Sequence, residues 1–144
     1  MKQALTAIVF VVFVTSVFAQ MTPLGTWNSI DDKTGEPKAE IRITEGANGL
    51  SGRIEKTLRK DADPKAVCTA CTDDRKGQPM IGLEIIRGGK KDAAQDTWEG
   101  GTILDPENGK DYRASFTPID GGKQLQVRGY WGPFWRTQTW VRVK

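Results

Sequence analysis

Cys68 and Cys71, in the run Cys-Thr-Ala-Cys, are the residues whose spacing most directly implies chemistry. Such a pair can form a local disulfide, act as a redox dithiol, supply half of a metal site, or stay as two thiols. A thioredoxin-type pair sits at a helix N-terminus within a βαβ unit, and no such pattern surrounds this one. A zinc site needs two more soft ligands. The chain has no other cysteine and no histidine, and Asp73 and Asp74 would complete a poor site. In an oxidising compartment a disulfide that pins its own loop is the simplest reading. So short a closed loop yields only modest stabilisation, roughly 1–2 kcal/mol.

The absence of histidine also removes His-based triads and proximal-His haem ligation. A carboxylate pair remains as an enzymatic device. Glu84 and Glu99 fall on neighbouring predicted strands, and glycoside hydrolysis needs carboxyls roughly 5–10 Å apart. Acidic residues so placed more commonly pair with Lys or Arg across strands. The expectation is therefore a protein that is not an enzyme and uses no cofactor or metal. Residues 105–109 lack the alternating ligands of a calcium loop and read as a turn.

The aromatic residues form a larger constellation. Trp98 and Tyr112 lie on adjacent predicted strands, and Tyr130, Trp131, Phe134, Trp135 and Trp140 crowd the C-terminal hairpin. Five Trp exceed what a core of this size needs. Gly-Tyr-Trp-Gly-Pro-Phe-Trp would set several rings at one place, as in an apolar ligand pocket or an exposed contact patch. Each ring taken singly is explained as well by core filling. In the last strand Arg136, Gln138, Trp140 and Arg142 share one face and Trp135, Thr137, Thr139, Val141 and Val143 the other. Neither face is cleanly apolar. A partly polar lumen accounts for this, with an interior Arg or Gln holding a ligand head group such as a carboxylate. A solvated outer face with Trp140 lying on it accounts for it equally. The candidate ligand-binding set is Trp27, Trp98, Tyr112, Tyr130, Trp131, Phe134, Arg136 and Trp140.

The elements that must position these residues are strands, because helical periodicity is not sustained beyond the N-terminus. Segments rich in β-branched and aromatic residues cover 24–30, 38–44, 50–58, 80–87, 97–104, 110–117, 123–131 and 135–143, with a long polar loop over 59–78. The linking runs 31–35, 45–49, 105–109 and 120–122 carry Asp, Asn, Pro and Gly in turn positions. Short connections predict an antiparallel meander, and closure into a barrel removes both edges. Eight strands make a barrel whose interior either fills with side chains or holds one small ligand. Gly52, Gly82, Gly100, Gly101 and Gly129 lie inside predicted strands, where they suit the sharp coiling of a small barrel.

The N-terminus sets the compartment. Lys2 precedes a largely apolar run over 4–18, and Val17 and Ala19 occupy the −3 and −1 positions of a signal-peptidase site. The run is shorter than the roughly 20 residues of a spanning helix. Residues 1–19 are therefore expected to be a cleaved export signal, leaving 20–144 as a single domain in the periplasm or the medium. No later segment is apolar enough to span a membrane. The chain has 21 basic and 18 acidic residues; loss of Lys2 leaves a net charge of +2, interspersed rather than blocked. A whole-chain balance that small gives no footprint for nucleic acid or anionic lipid.

The spans GTWNSIDDKTGEPKAEIRI, LSGRI, CTACTDDRKGQPMIGLEIIRG, WEGGTILDPENGKDYRASF and LQVRGYWGPFWRTQTWVRV closely resemble the DUF2147 family of secreted bacterial proteins. The resemblance runs from about Thr22 to Lys144. It implies an eight-stranded, lipocalin-like barrel with an internal cavity, and it implies no activity. Gly25-Thr26-Trp27 also matches the Gly-x-Trp start of lipocalin-like barrels, where a basic side chain from the last strand stacks across the Trp. Arg136 and Arg142 are the candidates, and spacing does not choose between them. Trp27 would equally serve as a core residue. The expected role is binding a small hydrophobic or amphipathic molecule. The alternative is an envelope protein–protein interaction module that uses the aromatic hairpin.

Overall fold

The computed structural model describes residue 11 and residues 21–143. The export signal read over residues 1–19 lies, Val11 excepted, outside the described residues.

The strands are β1 (Gly25–Ile30), β2 (Pro37–Gly46), β3 (Gly49–Thr57), β4 (Glu84–Arg87), β5 (Lys90–Lys91), β6 (Trp98–Asp105), β7 (Lys110–Ile119), β8 (Gln124–Trp131) and β9 (Phe134–Arg142). All pair antiparallel in the order β4-β3-β2-β1-β9-β8-β7-β6-β5, and a β4–β6 pairing closes the ring. β5 continues β4 past Gly88 and Gly89 and stays on β6 through Lys90↔Glu99 and Lys91↔Trp98. The barrel thus has eight staves, one of them kinked. Both glycines at the kink have positive φ, 76° and 103°, a conformation that side chains resist. This is an all-β, lipocalin-like barrel closed on itself.

Seven predicted strands agree with the observed ones to within about two residues. The fourth differs. Residues 80–83 form a turn, with Gly82 N–H donating to the Ile54 carbonyl at 2.7 Å and Ile54 N–H to the Leu83 carbonyl at 3.0 Å. Gly82 therefore belongs to the turn that returns the long loop to β3, not to a strand interior. Ladder pairing starts only where Glu84 meets Arg53.

Alternation places one set of side chains inside. Trp27 pairs with Ile41, Ile43 with Gly52, Gly52 with Ile86, Phe116 with Val127 and Leu125 with Trp140. Trp27, Ile43, Leu50, Phe116 and Leu125 are at most 2 % exposed and fill one end solidly. Each such burial contributes roughly 1.5–3 kcal/mol. That end is where β1 begins and β9 finishes. The opposite end, where β1 finishes and β9 begins, is open.

Candidate functional site

The open end leads into a cavity of about 760 Å³, within the usual range of small-molecule sites. Its best-defined wall is β9, where the period of two sets Arg136, Gln138 and Trp140 in a row from rim to depth. Their register partners on β8 are Gly129, Val127 and Leu125. Trp140 Nε1 donates to Gln138 Oε1 at 3.1 Å, which fixes both side chains. Ile41, Ile54, Ile85, Ile103 and Val127 supply the aliphatic walls.

The rim is charged. Arg136 pairs with Asp32 at 2.5 Å, and Arg59 pairs with Asp31 at 3.2 Å and Glu107 at 3.0 Å. These contacts tie β9, the β1–β2 loop, the β3–β4 loop and the β6–β7 turn together across the mouth. The Asp31 carboxyl lies below its ordinary pKa, chiefly because the Lys33 and Thr34 backbone N–H groups donate to it. Lys38, Arg59, Lys110 and Arg136 line the cavity with Asp105 and Glu107, and with Asp31 and Asp32 on the two arginines the entrance carries cations and carboxylates in balance.

The long β3–β4 loop completes the wall with Ala62 and Met80. A disulfide joins Cys68 to Cys71, and both residues are buried. Their loop sits on the β6–β7 turn, whose Gly109 (φ 74°) comes so near that a Cβ there would lie 1.8 Å from the Ala70 carbonyl oxygen. Arg75, 4 % exposed, binds Asp73 and Asp111 at 2.6 Å and the Glu84 carbonyl at 3.0 Å. Those bonds hold the loop to β4 and β7. Hydrogen bonds from the Arg75 side chain and backbone bring Asp73 down to a pKa of about 2.

Residues 25–142 match the family model described as "Uncharacterized protein conserved in bacteria (DUF2147)". The chain belongs to the DUF2147 family. The barrel is similar to the solved structure of protein HP1028 from the human pathogen Helicobacter pylori, described as belonging to the lipocalin family. The TM-score is 0.72 at 14% identity, over 87% of this chain and 85% of that one. At that identity the likeness is one of fold. A comparison with curated proteins gave no match.

This DUF2147 barrel brings Tyr112, Trp131, Arg136 and Trp140 of the candidate set to the cavity. It places the other four elsewhere. Trp27 is fully buried at the closed end, its Nε1 donating to the Pro23 carbonyl at 2.8 Å. Trp98 pairs with Phe116 near the same end, with the Lys91 ammonium 5.9 Å from its ring centre. Tyr130 faces outward and shares a 3.2 Å hydrogen bond with Ser115. Phe134 stands on the hairpin tip, 63% exposed. Of the two candidate arginines, Arg142 stacks on Trp27 and Arg136 serves the rim.

Glu84 and Glu99 lie at different levels of the barrel wall. The β4–β6 register sets Glu84 level with Asp105, six residues along β6 from Glu99, or on the order of 15–20 Å. Their register partners are Arg53 and Lys90. Burial pushes Glu84 upward, but hydrogen bonds from Ser51 and Arg87 and the charge of Arg53 outweigh it and hold the carboxyl below its ordinary value. Among the described residues no helix is long and apolar enough to cross a membrane.

The aliphatic lining and the rim cation Arg59 were not singled out from sequence. Ala39, Ile41 and Ile43 alternate with Lys38, Glu40 and Arg42, a signal that marks an inward face. Arg59 follows its strand in a polar loop and has no comparable signal.

Proposed function

We propose that this protein binds a small amphipathic molecule non-catalytically, with its apolar part in the lumen and an anionic head at the Arg136 rim. The observation that carries this reading is the graded β9 wall. Over four residues, about 13 Å of strand, it passes from a cation through an amide to an indole. An alkyl or ring system displaces water from the aliphatic depth, while a carboxylate or phosphate accepts from the guanidinium. The ion pairs already made by Arg136 and Arg59 keep those cations oriented without a ligand.

The buried disulfide supports work outside the cytoplasm, in keeping with the export signal read at residues 1–19. Solvent extraction of purified protein followed by mass spectrometry tests the reading. An amphipathic molecule should be recovered in near-stoichiometric amount, or the emptied barrel should take up alkyl carboxylates. Protein that is empty as isolated and binds no member of such a series would overturn it.

A further inference from the structure

We propose that the β8–β9 hairpin tip docks on the surface of an anionic lipid bilayer and holds the open mouth of the barrel against the membrane. Trp131, Phe134 and Trp135 are 47%, 63% and 60% exposed on one hairpin. The Trp131 and Phe134 ring centres lie 6.4 Å apart, and Tyr112 extends the group at 6.2 Å from Trp131. The tip turns on Gly132 and Pro133, between the last residue of β8 and the first of β9, so the rings gather at the rim of the open end. An exposed group of Trp and Phe suits the interfacial zone of a bilayer, where amphipathic rings settle at head-group level.

The surrounding charge selects the partner. Lys110, Arg113 and Arg128 stand around the tip; the neighbouring Asp111 is taken up by Arg75, and Arg136 by Asp32. The Arg113 and Arg128 guanidinia lie 5.5 and 5.9 Å from the Tyr130 and Trp135 ring centres. Cations therefore ride at the edge of the aromatic patch, where lipid phosphates would meet them. A second copy of this chain fits poorly, since face-to-face pairing would oppose like charges.

Trp131 and Arg136 also line the cavity, so the docking element and the entrance share a wall. A docked barrel opens at the level where membrane amphiphiles present their heads. That route rests on the carrier reading above; the docking does not.

Flotation of residues 20–144 with vesicles of phosphatidylcholine, alone or mixed with phosphatidylglycerol, tests the proposal. The chain should partition to the mixed vesicles, and added salt should weaken the partition. Phe134→Ala with Trp135→Ala should lower it by about tenfold or more. Both residues are exposed and outside the cavity lining, so the barrel and its ligand binding in solution should persist. Arg113→Gln with Arg128→Gln keeps the aromatics and should abolish the preference for anionic vesicles. Absence of partition, or equal partition by the aromatic double variant, overturns the proposal. So does a dimer, or a complex with an acidic protein, that depends on these rings without vesicle binding. Ligand binding measured in parallel separates the two readings, because vesicle partition stands whether or not the lumen takes a ligand.

Discussion

The Arg142 guanidinium lies 4.1 Å from the centre of the Trp27 ring and closes the blind end of the barrel. Nε donates to the Gly122 carbonyl at 2.6 Å, and the two terminal nitrogens donate to the Leu24 and Thr22 carbonyls at 2.7 and 2.8 Å. One planar group thereby joins the β7–β8 turn, the segment before β1 and the end of β9. Burial lowers the Arg142 pKa below the ordinary arginine value. Stacking and the ring of carbonyl acceptors favour the cation in return. Arg142→Met keeps the stem but leaves those carbonyls without their donor. We expect a loss of about 3 kcal/mol, on the order of 10 °C in Tm. Arg142→Lys should recover only part of it, because an ammonium lacks the fork. Thermal unfolding followed by circular dichroism reads both, and an unchanged Tm for Arg142→Met would show that the cap carries no stability.

At the opposite end, Arg136→Gln should separate head from tail. Alkyl carboxylates should bind about tenfold more weakly, equivalent to about 1.4 kcal/mol, and alcohols of the same length should be unaffected. Equal weakening of both classes would mean that Arg136 shapes the mouth rather than recognising charge.

The depth of the lumen can be shortened. Val127 is buried and faces Gln138 across β8 and β9, so Val127→Phe should fill the middle of the cavity. Long-chain ligands should lose affinity more than short ones, with stability changed by no more than about 1–2 kcal/mol because space for the ring exists. A variant that binds every chain length like the parent would place the ligand elsewhere.

Gly109→Ala should lift the disulfide loop off the β6–β7 turn. The new methyl would meet the Ala70 carbonyl, and its backbone would be held at positive φ at a cost of about 1–2 kcal/mol before any clash. Limited proteolysis should then cut within residues 59–83, and ligand affinity should fall because Met80 and Arg59 lose their places. An uncut loop at parental stability would contradict this account of the contact.

Acid should release the same loop. The Asp73 pKa falls from 3.8 to about 2 on folding, first through the Arg75 side-chain hydrogen bonds. A folded pKa below the unfolded one gives stability that is complete above about pH 4 and vanishes as pH drops toward 2. Amide protection in the loop should decline across that window in the parent. Arg75→Gln should show weaker protection at neutral pH and a flatter acid dependence, even though Asp31, Asp74 and Glu84 also have lowered values. Parallel pH curves for parent and variant would assign the acid response to those other groups.

The barrel was legible in the sequence because its staves are short, β-rich and joined by Asn-Gly and Asp-Gly turns, which leave few pairings open. Residues 80–83 escaped the reading because Met80, Ile81 and Leu83 are apolar, and composition does not tell a turn packed on a strand from a strand. The lumen was half legible. Alternation along β9 located Gln138 and Trp140 without saying which end of the barrel was open. Depth is a property of strand direction and closure. That is why Trp27 and Trp98, aromatic and inward like Trp140, lie in the plug, while Tyr130 and Phe134 lie outside the cavity. Choosing between Arg136 and Arg142 needed the β1–β9 register, in which Trp27 meets Arg142.

The sealed position of Cys68 and Cys71 also governs access to their bond. Once Ala70 rests on Gly109, neither sulfur is open to an oxidant or a reductant, at 0% and 1% exposure. The two cysteines are three residues apart and can join while the rest of the chain is still unstructured; the turn that covers them lies more than thirty residues further on. In the folded chain the bond therefore lies beneath a turn distant in sequence, and reduction requires that turn to lift first.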